Sequence, residues 1–348
     1  MAVVDSEPRA RTWCSLVAKE QGEDPIGSVS PYDLDLAVEV PLPWARAVAV
    51  SPTYHEALRA LPRLADARGV RLRVLAIVPD AELSRPGWTR VFALRRRSAP
   101  VAGFVKEEYV VPAGELGGLA AALVEQPEDA AADYASFRQE TAGVRDLLVC
   151  THGSRDACCA TFGFPLYERL RSLRRFEPDG RGRLRVWRTS HLGGHRFAPT
   201  LLDLADGRTW GHLDADAATR LLQRDGDLPM PDLDRHYRGW GALDSVQAMA
   251  AEREVFRREG WAWTGFSVLA ETSPVIDGRA AVRLAFASPG GRRRGVYEAT
   301  VEPSGVVVTT LGSCGDPEPR RSEGYRVTRL DLREAASGSD HATGAAVP

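Results

Sequence analysis

Leu147-Leu148-Val149-Cys150-Thr151-His152-Gly153-Ser154-Arg155-Asp156-Ala157-Cys158-Cys159 is the stretch from which the fold can be read. Its first four residues form a short apolar run bounded by a polar loop, the pattern of a buried strand. Beyond the loop, Pro165 at a first-turn position opens a helix with Leu166, Leu170 and Leu173 on one face. Arg183 to Thr189 then reads as a second strand. Strand, helix and strand make a βαβ unit whose strands run parallel. The loops after both strands therefore open on the same edge of the sheet. The second of these loops is Ser190-His191-Leu192-Gly193-Gly194-His195-Arg196-Phe197.

Outward from this unit, Thr200–Leu204 and Arg208–Gly211 flank an Asp206-Gly207 turn as a hairpin, and Asp214 caps a helix through Leu222. The preceding part of the chain repeats the order. Asp33–Val40 reads as a half-buried strand. Thr53-x-x-Glu56 has capping-box spacing for a helix that Pro62 should kink or restart. Val70–Val78 is a buried strand, and strands near Arg90–Leu94 and Ala102–Val110 form a hairpin. Leu116, Leu119 and Leu123 mark a helix ended by Pro127. Arg71-Leu72-Arg73-Val74 is echoed by Arg183-Leu184-Arg185-Val186. The repeated β-α-β-β-β-α order is that of a thioredoxin-like fold lacking its first elements. The expected class is α/β: two thioredoxin-like units, the first degenerate, and then a smaller α+β domain.

The expected organisation is an irregular lead-in over residues 1–32, the degenerate unit over 33–127 and a linker over 128–144. The second unit covers 145–230, an α+β domain covers 237–331, and a disordered tail covers 332–348. In the α+β part a helix from Ser245 to Arg258 precedes strands at Thr264–Ala270, Ala280–Phe286, Val296–Val301 and Val306–Leu311.

Composition excludes several function classes. A net charge of −2 and a pI of about 6.4 give no electrostatic argument for nucleic acid or an anionic membrane. Of the 45 basic residues only Lys19 and Lys106 are lysine, a codon-bias signature rather than a basic surface. No window holds eighteen apolar residues, so no membrane span is expected. The first fourteen residues carry charges and no apolar run, unlike a signal peptide. The odd count of five cysteines suits reduced thiols, and a cytoplasmic location is expected.

The 46 residues from Cys150 to His195 hold three of the five cysteines and three of the seven histidines. Thiolates and imidazoles on two loops at one sheet edge are what zinc, copper or an iron–sulfur cluster requires. Gly193-Gly194 argues against a helical His-x3-His pair and for a loop wrapped closely around a metal.

Here the chain resembles the sucrase/ferredoxin-like family, thioredoxin-like ferredoxins, through Cys150-Thr-His-Gly-Ser-Arg-Asp-Ala-Cys-Cys159 and Ser190-His-Leu-Gly-Gly-His-Arg-Phe-Ala198. The resemblance implies a [2Fe–2S] cluster held by Cys150, Cys159, His191 and His195, and an electron-transfer protein rather than a catalyst of its own reaction. It favours Cys159 over Cys158 as ligand, leaving Cys158 a buried small apolar residue. Two thiolates and two neutral imidazoles leave an oxidised cluster uncharged. That raises its potential over a four-thiolate site and couples electron uptake to pH through the imidazole N–H groups. Arg155 could donate to cluster or thiolate sulfur, and Asp156 could brace the loop by bonding Arg155 or nearby backbone N–H groups; a surface ion pair is the plainer alternative. A carrier of this kind needs a reductase and an electron acceptor, neither of them identifiable from the sequence.

Two other readings compete. The same four residues are a legitimate zinc set, although their spacing is not that of ordinary fingers. A thiol–disulfide enzyme using Cys158 with Cys159 or Cys150 is disfavoured, because there is no Cys-x-x-Cys and adjacent cysteines form strained disulfides. His152 is read as a hydrogen-bonding loop residue and Cys14 and Cys314 as buried thiols. His55, His212, His236 and His341 show no partner pattern. Trp187 and Trp210 are expected in the core. No paired carboxylates suggest sugar hydrolysis, and no Gly-x-Gly-x-x-Gly suggests a nucleotide site.

Overall fold

In a computed structural model, residues 12–98, 101–125, 130–173, 183–224 and 233–334 are described. Pro127, His341, the first eleven residues and the tail from 335 onward lie outside them.

The lead-in holds a helix, α1 (Cys14–Glu20), rather than irregular chain alone. The first half then runs β1 (Leu34–Glu39), α2 (Glu56–Ala67), β2 (Leu72–Ile77), β3 (Trp88–Arg96), β4 (Val101–Ala102), β5 (Phe104–Pro112), α3 (Leu116–Glu125) and α4 (Ala130–Asp133). The second half runs β6 (Val144–Cys150), α5 (Ala157–Leu173), β7 (Arg183–Thr189), β8 (Leu201–Asp203), β9 (Arg208–Trp210), α6 (Ala215–Gln223), α7 (Leu233–His236) and β10 (Tyr237–Trp240). The remainder is α8 (Val246–Glu259), β11 (Ser267–Thr272), β12 (Ala280–Ala287), β13 (Arg294–Ser313) and β14 (Asp316–Glu334).

Nine strands form one mixed sheet in the order β10-β9-β8-β6-β7-β2-β1-β3-β5. Each half contributes a parallel pair, β1 with β2 and β6 with β7. The halves meet where β2 and β7 run antiparallel at Ile77 and Thr189. A second sheet has the order β14-β13-β12-β11-β4, so residues 101–102 of the first half belong to it.

The two parallel pairs carry the same internal ion pair at matching register. Asp35 on β1 faces Arg73 on β2, and Asp146 on β6 faces Arg185 on β7. Asp146 also accepts from Lys106 at 2.9 Å and from the Trp187 indole at 2.8 Å. Arg185 reaches Glu108 on β5 as well, at 2.5 Å. These contacts join strands far apart in the sheet order, so the sheet curls until its two halves share an interior. The Asp146 carboxylate is tolerable there because each of its oxygens is paired. Burial opposes ionisation of Asp146, but Arg185 and Lys106 hold its carboxyl below the usual range.

Several expectations need correction. β1 is buried at all six positions, not on one face, because it lies between β2 and β3 with its acids paired inside. The cap of α2 is His55, whose Nδ1 accepts from Ala57 N–H at 3.2 Å, while Thr53 donates to the Pro41 carbonyl. That helix continues through Pro62. α5 begins at Ala157, not at Pro165, because the Asp156 carboxylate accepts from Cys158 N–H at 2.9 Å and caps it. The two strands expected over 296–311 are one, β13, and its partner β14 was not foreseen. In contrast, β7, the Asp206-Gly207 hairpin and the helices capped by Asp214 and Ser245 match their sequence signals. No helix among the described residues is long and apolar enough to cross a membrane.

Candidate metal centre

The site lies at the carboxyl edge of the β6/β7 pair. Parallel register sets Cys150 opposite Thr189, so Cys150 and the residues just after Thr189 leave the sheet side by side. α5 returns directly over this edge. A Cβ on Gly163 would lie 1.9 Å from the Cys150 carbonyl oxygen, so only glycine allows the helix this close. Capped by Asp156, the helix begins early enough to carry Cys158 and Cys159 in its first turn.

Cys150, Cys159 and His191 converge with their ligand atoms within 4.8 Å of one another. Cys159 Sγ lies 3.6 Å from His191 Nδ1. Both cysteines are buried, whereas His191 is partly exposed. Burial alone would raise the Cys150 thiol, but hydrogen bonds from Cys159 and His191 hold it well below its ordinary value. The hydrogen bond to Cys150, together with burial, pushes Cys159 up.

His195 stands beside this trio, its ring centroid 5.2 Å from that of His191. Its Nε2 lies 2.5 Å from the Gly312 carbonyl, which can only accept, so Nε2 carries the proton. Its Nδ1 is left with a lone pair, buried and without a hydrogen-bond partner among the described residues. Burial lowers the pKa of His195, against the pull of the Gly312 carbonyl. An imidazole with one nitrogen fastened and the other buried and unpartnered suits a metal-ligating histidine. Two soft thiols and two imidazole nitrogens form a donor set suited to zinc or an iron–sulfur cluster.

The His-Gly-Gly-His segment is a loop, as expected: Gly193 and Gly194 take φ of 78° and 60°, in the left-handed region that favours glycine. What supports it was missed in the sequence. Arg238, fully buried on β10, donates to the Gly193 carbonyl at 3.1 Å and to Ser28 Oγ and O at 2.9 and 2.8 Å. A Cβ on Gly194 would lie 2.3 Å from the Arg238 guanidinium. Burial lowers the pKa of Arg238 to about 9. Its only sequence trace is an arginine inside the apolar Tyr237–Trp240 run.

The remaining candidates fall into place around the centre. His152 donates through its Nε2–H to the Ala45 carbonyl, 2.8 Å away, as a loop-bracing residue. Arg155 is partly exposed and makes no hydrogen bond to Asp156 among the described residues. Asp156 instead accepts from the backbone N–H of Cys158 and, at 3.0 Å, of Cys314. Cys158 is more than apolar filling: its sulfur meets those of Cys14 and Cys314. Trp187 and Trp210 are core residues.

A family model described as sucrase/ferredoxin-like matches residues 25–239. Comparisons with curated proteins and with solved structures each find no match.

Proposed function

The chain belongs to the sucrase/ferredoxin-like family, and on that premise we propose that it is an electron carrier whose [2Fe–2S] cluster is held by Cys150, Cys159, His191 and His195. The observation that carries this reading is the His195 ring beside His191 of the Cys150–Cys159–His191 trio: Nε2 is fastened to Gly312, and Nδ1 is buried and unpartnered among the described residues. A bound cluster of this type supplies one-electron chemistry. The protein's part is to hold and tune it. The two cysteines bring the negative charge, and the two imidazoles add none, which raises the potential over a four-thiolate site.

Arg238 holds the histidine loop from beneath and adds a buried positive charge that favours electron uptake. Partly exposed His191 is the route by which solvent protons couple to reduction; the Nε2 proton of His195 is retained by the Gly312 carbonyl. Asp156 fixes the first turn of α5, and Arg155 sets a cationic group at the loop surface. The two halves, residues 33–127 and 145–230, are two thioredoxin-like units of which only the second carries ligands. Residues 237–331 form a further domain. A reductase and an acceptor, both in the cytoplasm, complete the function; neither nucleic acid nor membrane takes part.

One observation favours a second reading, a single zinc ion on the same residues: three donors within 4.8 Å also suit one ion. Anaerobic purification with iron, acid-labile sulfide and zinc analysis separates the two. Equal iron and sulfide, with a paramagnetic signal on one-electron reduction, are expected. Protein without sulfide, with zinc lost on mutation of Cys150, refutes the cluster.

A further inference from the structure

Consecutive residues of an α-helix point about 100° apart around its axis. Cys158 and Cys159, neighbours in the first turn of α5, therefore serve different places. Cys159 turns to His191. Cys158 turns to Cys14, in the first turn of α1, and to Cys314, at the tip of the β13–β14 hairpin.

The three sulfurs touch one another. Cys14 and Cys158 are 3.6 Å apart, Cys14 and Cys314 3.6 Å, and Cys158 and Cys314 3.0 Å. Asp156 Oδ1 lies 3.9 Å from Cys14 Sγ. One ligand atom from each of the four residues lies within 4.8 Å of the others. Cys14 and Cys158 are fully buried, Asp156 is buried, and Cys314 is partly so.

Four ligands around a tetrahedral zinc, with Zn–S near 2.3 Å, stand roughly 3.8 Å apart. Three of the four observed spacings, 3.6, 3.6 and 3.9 Å, are close to that value, and Cys158–Cys314, at 3.0 Å, is shorter. They are well beyond the ~2.05 Å of a disulfide, and a disulfide between any two sulfurs would strand the third beside a carboxylate. Thiolates exclude magnesium and calcium, and a three-sulfur, one-oxygen set with single-ion spacing suits zinc. Four protein ligands leave no open position, the mark of a structural site.

We propose that Cys14, Cys158, Cys314 and Asp156 bind one zinc ion, at a site distinct from the Cys150–Cys159–His191–His195 centre. The ligands come from α1, the start of α5 and the C-terminal hairpin, so the ion ties together segments up to 300 residues apart. It also fixes the hairpin tip whose Gly312 carbonyl holds His195. The zinc site thereby buttresses the neighbouring centre without belonging to it. The proposal stands whether that centre holds iron–sulfur or not.

The test is metal analysis of the full chain, expressed with zinc and iron supplied, as wild type, Cys14→Ser, Cys314→Ser and Cys150→Ser. One zinc per chain, beyond any zinc held at the Cys150 centre, is expected in wild type and persists in Cys150→Ser. Zinc should fall at least tenfold in Cys14→Ser and Cys314→Ser, while any iron is lost only from Cys150→Ser. Should Cys14→Ser fail to fold, Cys314→Ser, altered at a partly exposed hairpin tip, decides. Zinc lost from Cys150→Ser but kept by Cys314→Ser assigns the ion to the other centre and overturns the proposal. So does wild type without zinc, or a Cys158–Cys314 disulfide in freshly isolated protein on non-reducing peptide mapping.

Discussion

Replacing Gly163 with alanine should damage the metal centre although residue 163 touches no metal ligand through its own side chain. The added Cβ would sit 1.9 Å from the Cys150 carbonyl oxygen, whereas real contacts of this kind do not fall under 3.0 Å. The obstacle is backbone, not a flexible side chain, so α5 must retreat by at least ~1 Å in a closely packed interior. Cys159 lies one turn earlier on the same helix and moves with it. A shift of that size is several times the ~0.2 Å tolerance of metal–ligand distances. Overpacking costs about 1–3 kcal/mol, and alanine's better helix propensity returns about 1 kcal/mol at most. A net loss of about 1–2 kcal/mol is expected in urea unfolding, together with a clear fall in metal bound at Cys150 and Cys159. Gly114→Ala is the control, since its Cβ would meet nothing within 4 Å; it should be neutral or stabilising by up to about 1 kcal/mol. Gly163→Ala protein with wild-type stability and full metal content would refute the argument.

Three further outcomes follow from the same geometry. Asp203 is held down to about 2: burial opposes its ionisation, but Arg145 and Arg224 more than compensate. Its contribution, roughly 2 kcal/mol, is full above the unfolded value near 3.9 and is lost as pH falls toward 2. An acid-unfolding profile of Asp203→Asn should lack that part of the slope; an unchanged slope would show that the pair adds nothing. Arg238→Met should cost roughly 3 kcal/mol by stranding the Gly193 and Ser28 carbonyls. It should also lower the potential of the proposed cluster, and a wild-type potential in a folded variant would remove Arg238 from the tuning. His191→Cys and His195→Cys should each retain a cluster at lower potential. The fall of potential with rising pH should be lost mainly in His191→Cys, because of these two rings His195 alone has its N–H tied to a carbonyl among the described residues; redox titration across neutral to alkaline pH reads both, and equal slopes in the two variants would contradict this division.

Much of the centre was legible because its signals are local. The apolar run ending at Cys150, the strand ending at Thr189 and the rule that parallel strands open their loops on one edge are enough to bring Cys150 and His191 together. Gly193-Gly194 announced a loop. The bonding of Asp156 to nearby backbone N–H groups is as expected, but its consequence is a cap that starts α5 at Ala157, so that Pro165 lies inside the helix and not in its first turn. One long strand was taken for two because its polar centre around Pro303 to Val307 interrupts the apolar alternation, at the point where the register with β14 shifts.

By itself, then, the amino-acid order determined what depends on near neighbours: strand and helix periodicity, the glycine loop, and thiols and imidazoles at the ends of a βαβ unit. Only tertiary structure decided what depends on residues 45 to 156 positions apart. It set Gly312 against His195, Arg238 beneath the histidine loop, and Cys14 and Cys314 against Cys158. The physical reason is that such meetings are fixed by how the sheets curl and the hairpin folds back. No local propensity encodes the distance between the tip of a long hairpin and the first turn of a helix.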